Sequence, residues 1–218
     1  MRITHLGHAC LLVEMADTRL LVDPGTFADD LRDVRDLSAV LVTHQHLDHL
    51  DPERLPALVA DNPQAVVLCD PGSVDVLAGL GVEARAHDGA TTIGEVTVTP
   101  FGRQHALIHD DIPRIPNVGV RLDAEGEPSF FHPGDALDAE PGQVDVLAFP
   151  LQAPWQRSRD MTAFLRRLAA PHAIPVHDGL LQARGRGLYL NQAGQLGSAD
   201  TRIHDLAGAD ATDFDVDR

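Results

Sequence analysis

The chain has 218 residues, enough for one large hydrophobic core, and a single α/β domain is the simplest organisation for that length. With 33 Asp and Glu against 17 Lys and Arg, the formal net charge is -16, which disfavours a nucleic-acid groove, because such grooves displace counterions with basic side chains. There are only two cysteines, no basic stretch and apolar core of a signal peptide at the start, and no apolar run of membrane-spanning length; the expectation is a cytoplasmic protein with no membrane partner.

From the N-terminus, Arg2–His5, Ala9–Glu14 and Arg19–Val22 read as a β-meander, with Ala16-Asp17 as the turn between the second and third strands. His5 and His8 flank Leu6-Gly7, where a histidine is by default a strand-edge residue with a satisfied hydrogen bond. Cys10 and Cys69 each lie in an apolar strand-like run and are expected to be reduced packing residues. Asp23-Pro24-Gly25 is a turn signal, and residues 28–37 form a polar connection with a short helical turn. Ala39–Val42 is a buried strand, and Asp51-Pro52 reads as the cap and first residue of a helix running through Val59, with Pro56 shortening or kinking it. Between them stands Thr43-His44-Gln45-His46-Leu47-Asp48-His49, four candidate ligands on a strand-to-helix turn. In a locally extended chain His44 and His46 project the same way and reach one ion, while Asp48 and His49 face a second. Imidazole with carboxylate suits zinc, whose catalytic sites keep a position open for water; the alternative is a solvated histidine-rich loop.

His44-Gln45-His46-Leu47-Asp48-His49 matches HxHxDH and so resembles the signature of the metallo-β-lactamase superfamily of dinuclear metallohydrolases. The resemblance implies an αββα sandwich, two mixed β-sheets with helices on the outer faces, over one domain spanning residues 1–218. It also implies that Asp23 orients the ligand histidines. The run Leu6-Gly7-His8-Ala9 resembles the opening of the L-ascorbate 6-phosphate lactonase-like branch, in which this histidine lies beside the metals.

Further donors for such a site must come from the rest of the chain. Ala65–Cys69 is a strand, and Ser73–Leu80 a helix capped by Ser73 and closed near Gly79 or Gly81. Glu95–Pro100 alternates as a strand and leads to His105, which follows a strand end as His44 does and is the natural third ligand of the first metal; a plain loop histidine is the alternative. The irregular residues 106–117 suit a substrate lid, with His109 and Arg114 as pocket candidates or solvated loop residues. Val118–Leu122 and Ser129–His132 pair as a hairpin. Pro133-Gly134-Asp135 is turn chemistry on its own, but it resembles the place where the superfamily puts its bridging aspartate. His132 is left to the core or to the support of the ligands. Asp145–Pro150 is a strand, Trp155 a loop residue that either walls the pocket or is partly buried without function, the second by default, and Asp160–Ala169 an amphipathic helix. Ala173–His177 repeats the strand-then-ligand pattern and offers His177, whereas His172 is structural. Arg184 and Arg186 either hold an anionic group or lie on a solvated face. Residues 197–218 form an acidic tail with one edge strand at Thr201–Leu206 and a frayed end.

With the resemblance, the expected metal ligands are His44, His46 and His105 for one ion, Asp48, His49 and His177 for the other, and Asp135 between them. Two divalent cations, zinc first and manganese second, would lower the pKa of a shared water and polarise the substrate oxygen. Asp48 would orient the hydroxide, and His8 or His109 would protonate the leaving group. Hydrolysis of a small lactone or phosphoester, with an anionic substrate in view, is the resulting reading. The competing readings are a metal-loaded binding protein without catalysis, or a thioesterase or nuclease of the same superfamily. Arg103-Gln104-His105-Ala106 departs from the Pro-Gly-His-Thr of the thioesterases, and nucleases usually add an RNA-binding arm or a large inserted domain. Oligomeric state is not legible.

Overall fold

Strands buried on both faces need apolar residues at every position, and the short Val- and Leu-rich runs of this chain have that character. A computed structural model describes residues 1–216. In chain order it comprises β1 (Arg2–His5), β2 (Leu11–Met15), β3 (Thr18–Val22), β4 (Ala39–Val42), α1 (Leu55–Ala60), β5 (Val66–Cys69), α2 (Ser73–Gly79), β6 (Arg85–Ala86), β7 (Thr91–Ile93), β8 (Val96–Phe101), β9 (Gly119–Asp123), β10 (Phe130–His132), β11 (Val146–Pro150), α3 (Ser158–Leu168), β12 (His172–Val176), α4 (Ala183–Leu196), β13 (Arg202–Ile203) and β14 (Thr212–Asp213). One sheet has the order β14-β1-β2-β3-β4-β5-β6, the other β13-β12-β11-β10-β9-β8-β7. Both are mixed. In the first, β1, β2 and β3 are antiparallel neighbours and β3 to β6 are parallel. In the second, β7 to β10 are antiparallel and β10 to β13 parallel.

The period of two sorts each strand between layers. Ala39 and Leu41 join the core between the sheets, as do Phe130, Val146, Ala148, Ile174 and Val176. Val40 and Val42 face outward under Leu55, Leu58 and Leu77 of α1 and α2. Phe131, Leu147 and Phe149 face outward under Met161, Phe164 and Leu165 of α3 and Ala193 of α4. The layers are therefore helix, sheet, sheet, helix, as the resemblance implied.

Strand direction sets the site. In the first sheet β1, β3 and β4 run the same way, and in the second β8, β10 and β12 do. Every candidate ligand follows the C-terminal end of one of these six strands, where loops can converge outside the sheet. The β2–β3 turn is Ala16-Asp17, both residues at positive φ (45° and 54°), as a two-residue hairpin requires to match strand twist.

Several local expectations change. The helix after Asp51 begins only at Leu55, because Pro56 occupies its first turn. Asp51 caps the preceding turn instead, accepting the Glu53 and Arg54 N–H groups at 2.8 and 3.0 Å. Ser73 is the first residue of α2 rather than its cap, and its hydroxyl donates to Asp70. Residues 28–37 contain turns but no helix. α4 is an element that the sequence reading lacked; Gly185, Gly187 and Gly194 lower its helix propensity, and only Ala193 is fully buried, so no apolar stripe announces it. The tail is also less frayed than expected. β13 covers only Arg202–Ile203, and β14 pairs with β1 to close the first sheet, while residues 217 and 218 lie outside the described residues. Phe214 is buried, with ring contacts to His172 and His204 at centroid distances of 5.6 and 5.0 Å, so the end of the chain links the edges of both sheets. Phe214→Ala should therefore cost about 3–5 kcal/mol of unfolding free energy in urea titrations; a change below about 1 kcal/mol would assign the tail no structural role.

Candidate metal centre

Two groups of side chains converge at the strand ends: His44, His46, His105 and Asp135, and beside them His8, Asp48, His49 and His177. Within each group the donor atoms lie within 4.8 Å of one another. The seven side chains that the sequence offered as ligands are all among these eight, with Asp135 grouped with His44, His46 and His105, and His8 joining Asp48, His49 and His177.

Each buried ring is held by the nitrogen that faces away from the cluster. Thr43 donates its N–H and hydroxyl to the two oxygens of Asp23, both at 2.8 Å, and Asp23 Oδ2 accepts the His49 Nδ1–H at 2.7 Å. Since the Thr43 hydroxyl proton is committed, its oxygen accepts from His44 Nδ1 at 3.1 Å. His105 Nδ1–H donates to the Ala106 carbonyl at 2.7 Å and His177 Nδ1–H to the Gln152 carbonyl at 2.9 Å. These outer bonds fix the tautomers and leave Nε2 of all four rings toward the cluster. Asp23 thus orients the His49 ring directly and the His44 ring through Thr43.

Asp135 stands between the groups. Its Oδ1 is 3.3 Å from His49 Nε2, and its Oδ2 is 3.3 Å from His105 Nε2 and 3.2 Å from His177 Nε2. The Gly134 turn places it. At φ 59°, a Cβ on Gly134 would lie 2.5 Å from Asn117 Oδ1 and 2.7 Å from Thr43, so only glycine fits. Asn117 Oδ1 accepts the Asp135 N–H at 2.8 Å, and His132 Nδ1 accepts the Gly134 N–H at 3.1 Å while its Nε2 donates to the Ala9 carbonyl. His132 thus supports the turn, and burial pushes its pKa down to about 4.

His8 has a different part. Its Nδ1 accepts the Gly179 N–H at 3.0 Å, so Nε2 carries the proton and donates to Asp48 Oδ2 at 3.1 Å. Burial holds the ring below the usual histidine range, against the pull of Asp48. With its N–H given to Asp48, the ring orients that carboxylate. The other proton-donor candidate, His109, is exposed on the loop after His105, where its Nδ1 accepts the Asp111 N–H at 3.1 Å.

Electrostatics favour positive charge at the centre. Burial would raise Asp48, but the neighbouring His177 and His8 rings outweigh it and hold the carboxyl well below its ordinary range. Burial likewise opposes protonation of His177, yet Asp135 and Asp48 carry it up to about 9. His44 is buried and driven down, first by desolvation and then by the charge on His49, so it is a neutral donor. Among the described residues, four buried atoms, Nε2 of His49, His105 and His177 and Oδ1 of Asp135, have no hydrogen-bond partner although they lie in one cluster. Buried polar atoms are rarely left so, and imidazole nitrogens with carboxylate oxygens are the donor set of a divalent transition metal. The residues fit such ions.

Trp155 is the neighbour that sequence reasoning left as a general pocket wall. Its indole N–H donates to Asp135 Oδ2 at 3.0 Å. No local motif marks it, because it lies in an irregular loop between β11 and α3. Arg114 donates from Nε to the His105 carbonyl at 2.7 Å. Of the two alternatives for Arg186, an anion site finds no free guanidinium, since it is divided between Asp178 at 2.7 Å and Asp205 at 2.6 and 2.7 Å. Arg184 is exposed on α4. His5 and His172 are structural as expected, His5 bonding to the His8 carbonyl and His172 meeting His204. Cys10 and Cys69 are buried free thiols.

With this geometry in hand, the relatives of the chain can be compared. A family model described as a beta-lactamase superfamily domain matches residues 2–177. Protein Rv0786c of Mycobacterium tuberculosis is 41% identical over 206 residues, covering 93% of this chain and 96% of that protein. A UPF0173 metal-dependent hydrolase of Methanosphaerula palustris is 30% identical over 196 residues, covering 81% of this chain and 83% of its own. Among solved structures, an isothiocyanate hydrolase from Delia radicum gut bacteria superposes with a TM-score of 0.75 at 15% identity, covering 99% and 100% of the two chains. A metallo hydrolase from the archaeon Ignicoccus hospitalis gives 0.72 at 16%, covering 98% of each; at such identities the likeness is one of fold. The extent of the family match and the identity to full-length relatives establish that this chain belongs to the metallo-β-lactamase superfamily, within the UPF0173 metal-dependent hydrolase family.

Proposed function

We propose that the chain is a metal-dependent hydrolase that holds two divalent cations, zinc or manganese, and cleaves an ester-type bond in a small molecule, a lactone or phosphoester. The observation that carries this reading is the set of four unpartnered buried donor atoms facing one another, one from each of three histidines and one from Asp135. His44, His46 and His105 would hold one cation, and Asp48, His49 and His177 the other, with Asp135 between them. Bound there, such ions acidify water and polarise a substrate oxygen. The lactonase-like reading draws on Leu6-Gly7-His8-Ala9 and adds His8 as the residue that sets Asp48.

The protein's own part is positioning. Asp23 keeps His49 in one tautomer, His8 holds the Asp48 carboxylate, and Trp155 holds one oxygen of Asp135. Ligands held in this way keep a reactant in geometry without reorganisation at the moment of reaction.

Metal-loaded protein should hydrolyse members of a panel of lactones, carboxylic esters and phosphodiesters, lose that activity with chelator and regain it with added zinc or manganese. Bound metal with no turnover across the panel would instead favour a binding protein. His8→Ala should weaken metal binding about 10–100-fold in competition with a fluorescent chelator, whereas His109→Ala should leave affinity and turnover within about twofold; a large loss for His109→Ala alone would restore the proton-donor role to that residue. At Gly25 a Cβ would lie 1.9 Å from the Asp48 carbonyl oxygen. Gly25→Ala must therefore shift the Asp48–His49 peptide, and turnover should fall about 100-fold; wild-type rates in that variant would show that the turn tolerates displacement.

A further inference from the structure

Among the described residues, six of the ten exposed large hydrophobic side chains, Phe27, Leu47, Leu107, Ile108, Ile112 and Leu180, lie on loops that also carry the metal-centre residues. Singly exposed apolar residues need no explanation, but a concentration around one mouth does. They gather on two sides. The Phe27 ring meets His8 edge-on at 5.1 Å, the neighbouring Thr26 N–H donates to the Leu47 carbonyl at 2.7 Å, and a Cβ at Gly179, next to Leu180, would touch the Phe27 ring at 3.3 Å. On the loop after His105, Leu107 lines a cavity of about 410 Å³ together with Trp155, Leu137 and Phe164. Trp155 joins that cavity to the metal centre, since its ring lies 5.8 Å from His105 and its N–H reaches Asp135.

Charge in the cavity is balanced rather than positive. Arg114 and Arg167 line it with Asp138 and Asp160, and Arg167 is committed to Glu140 and to the carbonyls of Ala139 and Leu137. The net charge of -16 repels anions at long range. A phosphorylated ligand would call for a convergent arginine cluster, and the concentrated Arg186 is consumed by Asp178 and Asp205.

Resting on the hydrolase reading above, we propose that the substrate is a neutral carboxylic ester or lactone with an apolar chain or ring, its carbonyl at the metal centre and its apolar body in the cavity beside Trp155 and against Leu107. In the reaction the oxygen of water bonds to the carbonyl carbon and the acyl C–O bond breaks. One water proton ends on the alcohol oxygen, and the other is released as the acid ionises.

Trp155 is the only tryptophan, so its emission reports ligand binding without turnover. Metal-depleted protein titrated with γ-valerolactone and γ-undecalactone should bind the longer lactone at least about tenfold more tightly, a modest share of the gain that full burial of six extra methylenes allows. With metal-loaded protein, kcat/KM should rise at least about tenfold from p-nitrophenyl acetate to p-nitrophenyl octanoate, and Leu107→Ser or Leu180→Ser should each lower the octanoate-to-acetate ratio. Chain-length-dependent binding with no hydrolysis of any ester would overturn the hydrolase reading and the substrate assignment with it. Turnover with a flat chain-length profile, or a preference for bis-p-nitrophenyl phosphate, would overturn the apolar class alone.

Discussion

The Asp23 carboxylate is the interaction on which the rest of this site depends. It is fully buried, and its two oxygens receive the Thr43 N–H, the Thr43 hydroxyl and the His49 Nδ1–H within 2.8 Å. A buried carboxylate must be met by donors, and here the donors belong to the first and last residues of the histidine-rich turn. Satisfying Asp23 therefore sets both the path of the backbone after β4 and the side of each imidazole that faces the centre. The same logic recurs at His105 and His177, where a backbone carbonyl takes Nδ1–H and Nε2 is left inward.

The two-sheet architecture makes this convergence available. Six strands, three in each sheet, deliver their C-terminal ends to the centre. The apolar layers behind them are close-packed and keep the strand ends still. Chemistry is left to the loops, and two of the tightest points in those loops are glycines, Gly25 against the Asp48 peptide and Gly134 against Thr43 and Asn117. A side chain at either would displace Asp48 or Asp135 from the cluster.

Much of this was legible in the residues. Thr43 to His49 announces itself because four donors crowd one turn, and His105 and His177 because each follows a strand that alternation or apolarity makes visible. Asp135 needed the family resemblance, since Pro-Gly-Asp alone is ordinary turn chemistry. What remained hidden has physical reasons. α4 packs with little apolar surface, and β14 is two residues long and defined by its partner β1 rather than by its own sequence. Trp155 comes to Asp135 from an irregular loop, and Arg186 finds two aspartates, one of them 19 residues away along the chain. Tertiary contacts of that kind leave no local pattern. The tautomer of His8 is likewise a property of the assembled site, because it is set by the Gly179 N–H, which the chain brings from 171 residues away.

The central claim is that these side chains form a centre for a pair of cations. Metal content per folded chain after equilibrium dialysis against zinc, read by elemental analysis, tests it most directly. The account predicts about two ions per chain in the wild type, and a clear loss when Asp135 is replaced by Ala while the protein remains folded by circular dichroism. A folded wild-type chain that retains no stoichiometric metal, or an Asp135→Ala variant that binds as much as the wild type, would contradict it.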